Sequence, residues 1–94
     1  MTEITAEEHQ ALVRRIHKAA GQCNAIERMI DSDATCEQIL TQVNAAKSAL
    51  HRIGQMLLEA HLHHCAREGV ASGDATKAFE NLSQTIEYFC RIYK

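Results

Sequence analysis

Not one of the 94 residues is a proline, and the apolar residues recur at steps of three and four rather than two. A chain without its strongest helix breaker, with that period and almost no β-branched runs, favours long amphipathic helices. Leu12, Ile16, Ala19, Cys23, Ile26 and Ile30 mark one face of a first helix. Thr5 and Glu8 before it are spaced as a capping box, in which each side chain satisfies a backbone N–H of the other residue. Asp31, Ser32 and Asp33 end it. Thr35 and Gln38 repeat the capping spacing and open a second helix, with Ile39, Val43, Ala46, Leu50, Ile53, Leu57 and His61 along one face. This helix is expected to run to about Arg67, with segment 69–74 as the next break. Gly54 lies inside it, at a cost of about 1 kcal/mol relative to Ala. A third helix carries Phe79, Leu82, Ile86, Phe89 and Ile92 on one face.

The expected fold is therefore all-α, a three-helix protomer in which residues 1–94 form a single domain. A domain this small buries a modest share of its surface and commonly needs a metal, a disulfide or a second subunit. The polar, acidic residues 1–10 have no apolar core of a signal peptide, and no apolar run reaches the length of a membrane span. The expected location is the cytoplasm. Thiols stay reduced there, so Cys23, Cys36, Cys65 and Cys90 point to metal or redox chemistry rather than a disulfide framework. No Ser/His/Asp arrangement or phosphate loop announces an enzyme.

The run His61-Leu62-His63-His64-Cys65 is the most unusual stretch. His61 and Cys65 stand one helical turn apart on the same side, while His63 points away. An imidazole and a thiolate so placed can share a metal ion, and a tight site needs a third ligand. Cys36 is the candidate. It precedes His61 by about 25 residues on the same expected helix, roughly 37 Å at 1.5 Å per residue. One chain cannot bring the two together. Two copies of the helix packed antiparallel can, and a twofold dimer would then hold two equivalent sites. Two thiolates and an imidazole suit Cu(I). Zn(II) would add a fourth ligand, such as His64 or water, and Ni(II) or Co(II) would ask for more nitrogen donors. A chance His/Cys pair with Cys65 as a small buried hydrophobe stays open. Cys23 and Cys90, on apolar faces, are expected in the core.

Several pieces match a known pattern in order and at its spacings. They are Arg15-Ile16-His17-Lys18 followed by Gly21-Gln22, then Cys36, then Leu57-Leu58-Glu59-Ala60-His61-Leu62-His63-His64-Cys65, then Ser72-Gly73-Asp74. Along essentially its whole length the chain resembles the CsoR/RcnR/FrmR family of bacterial repressors. The resemblance implies a three-helix protomer, an antiparallel dimer with a four-helix-bundle core, and a dimer-of-dimers tetramer. It implies repression of metal-efflux or detoxification genes, with operator DNA released when the effector binds. Copper sensors of the family use Cys, His and Cys at the places held here by Cys36, His61 and Cys65. Nickel/cobalt sensors carry His at the last place, and formaldehyde sensors a Pro at the second position, where this chain has Thr2. Persulfide sensors keep the two cysteines but usually lack the His, so a thiol switch through Cys36 and Cys65 is an alternative. Copper sensors often place a Tyr before the first Cys and a Glu in helix 3, linked to the metal-bound His. Those places hold Thr35 and Asn81, with Glu80 adjacent.

The formal net charge is −2, whereas nucleic-acid binders are usually basic. A local patch outweighs the total, because phosphate neutralisation drives affinity. Arg14, Arg15 and Lys18 form such a patch on the first helix, and Lys47 and Arg52 add charge on the second. The resemblance puts Arg15, Lys18 and Arg52 where family members contact DNA.

Overall fold

Glu7 and Glu8 in the first turn and Arg28 in the last complement the dipole of helix α1, Ala6–Ile30. The structure, a computed structural model, describes residues 4–91; Thr2 and Ile92 of the expectations above lie outside them. Ser32 closes α1, its hydroxyl donating to the Met29 carbonyl at 3.0 Å. The capping box before α2 forms as its spacing predicts. Thr35 N–H donates to Gln38 Oε1 at 2.9 Å, and Gln38 N–H to Thr35 Oγ1 at 3.2 Å. Helix α2 then runs from Cys36 to Ser72 and helix α3 from Ala75 to Cys90. Among the described residues there is no strand, and no helix is long and apolar enough to cross a membrane.

The expected end of α2 is corrected: it continues past Arg67 and through Gly69 to Ser72. Gly69 stays helical while Ala78 of α3 packs on it, so that a Cβ there would lie 3.3 Å from the Ala78 Cβ. Gly73 makes the break. Its φ of +72° is the left-handed conformation that glycine adopts without strain. Asp74 then caps α3, its carboxylate accepting from Lys77 N–H at 3.0 Å, while its own N–H donates to Ser72 Oγ at 3.1 Å.

The helices form two packing units. In Glu7–Ile53, α1 and the first half of α2 bury Leu12, Ala19, Ala46 and Ile53. In the unit from Gly54 onward, the second half of α2 and α3 bury Ala60 and Cys65. Much of the apolar pattern stays outside these cores. Ile16, Ile30, Leu50 and Ile86 are exposed, and Phe79 is 71% exposed. Cys23 and Cys90 are likewise exposed, which corrects their expected core positions. Two helices can each cover only one side of their neighbour, and the remaining apolar stripes face outward.

Gly54 has a packing reason that outweighs its helix propensity. A Cβ there would overlap the Phe89 ring, with ring atoms Cδ1 and Cζ at 3.2 and 3.3 Å. A planar ring seated on a helix cannot fold away as a long aliphatic chain would. Gly54→Ala should therefore lower stability by about 1–3 kcal/mol through overpacking, despite a propensity gain of about 1 kcal/mol. Denaturant unfolding at matched protein concentration measures this; a stabilised variant would mean that Phe89 shifts at no cost.

Candidate metal centre

The two close approaches, Phe89 on Gly54 and Ala78 on Gly69, draw α3 onto the second half of α2 at both ends of the pair. Between them, one i, i+4 pair from each helix meets. His61 and Cys65 come from α2, and Asn81 and Thr85 from α3. His61 Nε2 lies 3.3 Å from Cys65 Sγ, 2.7 Å from Asn81 Oδ1 and 3.0 Å from Thr85 Oγ1. Cys65 Sγ donates weakly to Asn81 Oδ1 at 3.8 Å. The Thr85 hydroxyl proton goes to the Asn81 carbonyl at 3.0 Å, which leaves its oxygen as an acceptor. An amide oxygen also only accepts, so Nε2 carries the imidazole proton.

Cys65 is buried, at 5% exposure, and His61 is half-buried. The thiol nevertheless borders open space. A cleft of about 500 Å³ is lined by His64, Cys65, Glu68, Asp74, Lys77 and Asn81, among others. His64 is a neighbour rather than a member of the cluster. Its ring centroid is 6.3 Å from that of His61, and its Nε2 is 4.0 Å from Glu68 Oε1. His63 is exposed, as its place on the helix predicts. Cys36 is exposed at the first residue of α2 and is not part of this cluster. Among the described residues, no group of three or more His, Cys, Asp or Glu side chains is gathered to hold a metal ion.

The helix-3 position singled out from the sequence, Asn81, does reach His61, but as a neutral amide in place of a carboxylate. Thr35 is engaged elsewhere, in the α2 cap. Thr85 was not foreseen. Its only sequence signal is that Asn81 and Thr85 repeat the i, i+4 spacing of His61 and Cys65.

The four basic residues singled out for DNA share the other unit. Arg14, Arg15 and Lys18 are exposed on α1, and Arg52 is exposed on the first half of α2.

The copper-sensing transcriptional repressor CsoR of Bacillus subtilis is 30% identical over 87 residues, which are 93% of this chain and 86% of that protein. Among solved structures, the copper-sensing repressor CsoR with Cu(I) from Geobacillus thermodenitrificans aligns with a TM-score of 0.81 at 29% identity. The alignment covers 96% of this chain and 94% of that one. The nickel-responsive transcriptional regulator InrS aligns with a TM-score of 0.83 over 95% of this chain and 97% of that one. At 24% identity that likeness is one of fold. These relatives regulate transcription and are not enzymes. The family described as metal-sensitive transcriptional repressor matches residues 8–88. With its three helices, and a buried thiol beside a half-buried imidazole between two of them, the chain belongs to the family of metal-sensitive transcriptional repressors.

Proposed function

We propose that the chain is a cytoplasmic Cu(I)-responsive repressor. In this reading one three-helix domain per subunit assembles as an antiparallel dimer and then a homotetramer. Metal-free protein holds operator DNA, and Cu(I) bound by His61, Cys65 and Cys36 of the partner subunit releases it. The observation that carries this reading is the 3.3 Å separation of Cys65 Sγ and His61 Nε2. Sulfur and nitrogen ligands about 2.0–2.3 Å from one ion stand roughly 3.5–3.8 Å apart in a tetrahedral or trigonal arrangement, so the pair fits a shared metal with little movement.

Two further features support the subunit-bridging arrangement. Helix α2 is unbroken from Cys36 to Ser72, so the length argument drawn from its sequence keeps its force. The apolar residues left exposed outside the two cores, Phe79, Ile86, Leu50 and Ile16 among them, also offer surface for contacts between subunits.

Bound Cu(I) supplies a soft centre that favours thiolate ligands. The residues do the rest. Cys65 and Cys36 of the partner subunit lose their protons to become ligands, and His61 tethers the centre to α2. Asn81 and Thr85 connect His61 to α3, so a change at the imidazole is felt by both helices. Efficient release requires the DNA-incompetent arrangement to hold the metal better, by about 1–3 kcal/mol in typical systems.

Reduced protein titrated anaerobically with Cu(I) against a competing chelator, with operator release followed by anisotropy, tests this reading. The expected result is one Cu(I) per subunit, with release in step. Release by Ni(II) or Co(II) with Cu(I) inert would favour the second reading, a nickel or cobalt sensor, for which His64 beside the site speaks. Release by a persulfide donor without metal would point to a thiol switch.

A further inference from the structure

Three acceptors surround the one proton on His61 Nε2: Cys65 Sγ at 3.3 Å, Asn81 Oδ1 at 2.7 Å and Thr85 Oγ1 at 3.0 Å. An ion that takes the place of that proton finds the same atoms around it. Cys65 Sγ, His61 Nε2 and Asn81 Oδ1 form a triangle with edges of 2.7, 3.3 and 3.8 Å. Neighbouring donors in a four-coordinate site with metal–sulfur distances of about 2.3 Å and metal–nitrogen or –oxygen distances of about 2.0–2.2 Å lie roughly 3.3–3.7 Å apart. The shortest edge spans a hydrogen bond and can lengthen once its proton is gone.

We propose that Asn81 is a metal-selectivity residue whose amide oxygen donates to a four-coordinate divalent ion held at His61 and Cys65, and which Cu(I) at the same place does not use. The inference rests on the metal site proposed above and adds a donor to it. A trigonal Cu(I) centre is satisfied by two thiolates and an imidazole, and an amide oxygen is a poor partner for so soft an ion. Zn(II) and Co(II) accept oxygen beside sulfur and nitrogen and fill four positions. On divalent binding the two thiols release their protons to solvent, the neutral imidazole carries its proton on Nδ1, and Asn81 Oδ1 exchanges its hydrogen bond for the ion.

A neutral oxygen donor also differs in kind from a carboxylate. It adds no charge, so the dithiolate set with a divalent ion stays neutral overall. The cleft of about 500 Å³ beside Cys65 and Asn81 leaves room for the small side-chain rotation this requires.

The test compares wild type, Asn81→Leu and Asn81→Asp as full-length reduced protein, with Co(II) as spectroscopic probe and Zn(II) and Cu(I) measured by chelator competition. Asn81→Leu should weaken Co(II) and Zn(II) binding by more than the roughly 10–100-fold that loss of a merely supporting residue costs and change the visible Co(II) bands. The loss for Cu(I), for which Asn81 only holds His61, should stay smaller and within that supporting range. Retained Cu(I) binding shows that the variant is folded. Asn81→Asp, which keeps an oxygen at the place, should restore divalent binding. Unchanged Co(II) bands and affinity in Asn81→Leu would overturn the proposal. So would an equal loss for Cu(I), which would make Asn81 a support for His61 and no ligand. If wild type binds neither Cu(I) nor Co(II), the metal site itself fails, and this inference with it.

Discussion

Two variants that each abolish Cu(I)-driven release should regain part of it when their subunits are mixed. The expectation follows from the placement of ligands on one long helix. Cys36 begins α2, and His61 and Cys65 lie in its second half, so each proposed site takes its first ligand from one subunit and its other two from the partner. A Cys36→Ala dimer then lacks a ligand at both sites, and a His61→Ala/Cys65→Ala dimer lacks two at both. In a mixed dimer, one site loses everything and the other keeps all three ligands. After 1:1 mixing with free exchange, half the dimers are mixed and about a quarter of the wild-type tight sites return. Each parent should lose more than the roughly 10–100-fold that a merely supporting residue costs. Cu(I) competition, with exchange verified by native mass spectrometry, reads this out. No recovery in verified mixed dimers would place all ligands within one chain. Normal binding by Cys36→Ala alone would remove Cys36 from the site.

That argument could be made from residue spacing, whereas other features could not. Local rules sufficed where partners lie within a turn. The Thr35–Gln38 capping box and the juxtaposition of His61 and Cys65 depend only on three- and four-residue steps along one helix. They failed where the deciding partner comes from another helix. Gly54 reads as a weakness in α2 until the Phe89 ring is seen lying over it, and Gly69 reads as a helix end until Ala78 packs there. Thr85 has no local signature, since its role at His61 depends on how α3 is set against α2. Cys23 and Cys90 follow the apolar period but are exposed. Periodicity marks the face that will be buried somewhere and does not say by which neighbour.

Arg15→Ala/Lys18→Ala should eliminate measurable operator binding near physiological salt without altering Cu(I) affinity. With a formal net charge of −2, the chain has no overall attraction for DNA, so binding depends on where its cations sit. Arg14, Arg15 and Lys18 are exposed together on α1, in the unit that also carries Arg52, whereas Glu80 and Glu87 are on α3. Each phosphate contact contributes about 0.9 to the slope of log affinity against log salt. Single substitutions at Arg15 or Lys18 should lower that slope by about 1 per contacting copy, so a dimer loses about 2 and a tetramer with every copy engaged about 4. Lys77→Ala removes the same charge from α3 and is the control, with an expected loss below about threefold on electrostatic grounds. Equal losses from Lys77 and Lys18 would show that total charge governs binding and would remove α1 from the interface. A loss confined to Arg15 and Lys18, at unchanged Cu(I) affinity, would separate the surface that holds DNA from the centre that senses metal. Metal must then act on DNA by changing how the α1 surfaces of different subunits are presented, because none of the proposed ligands, Cys36, His61 and Cys65, lies on α1.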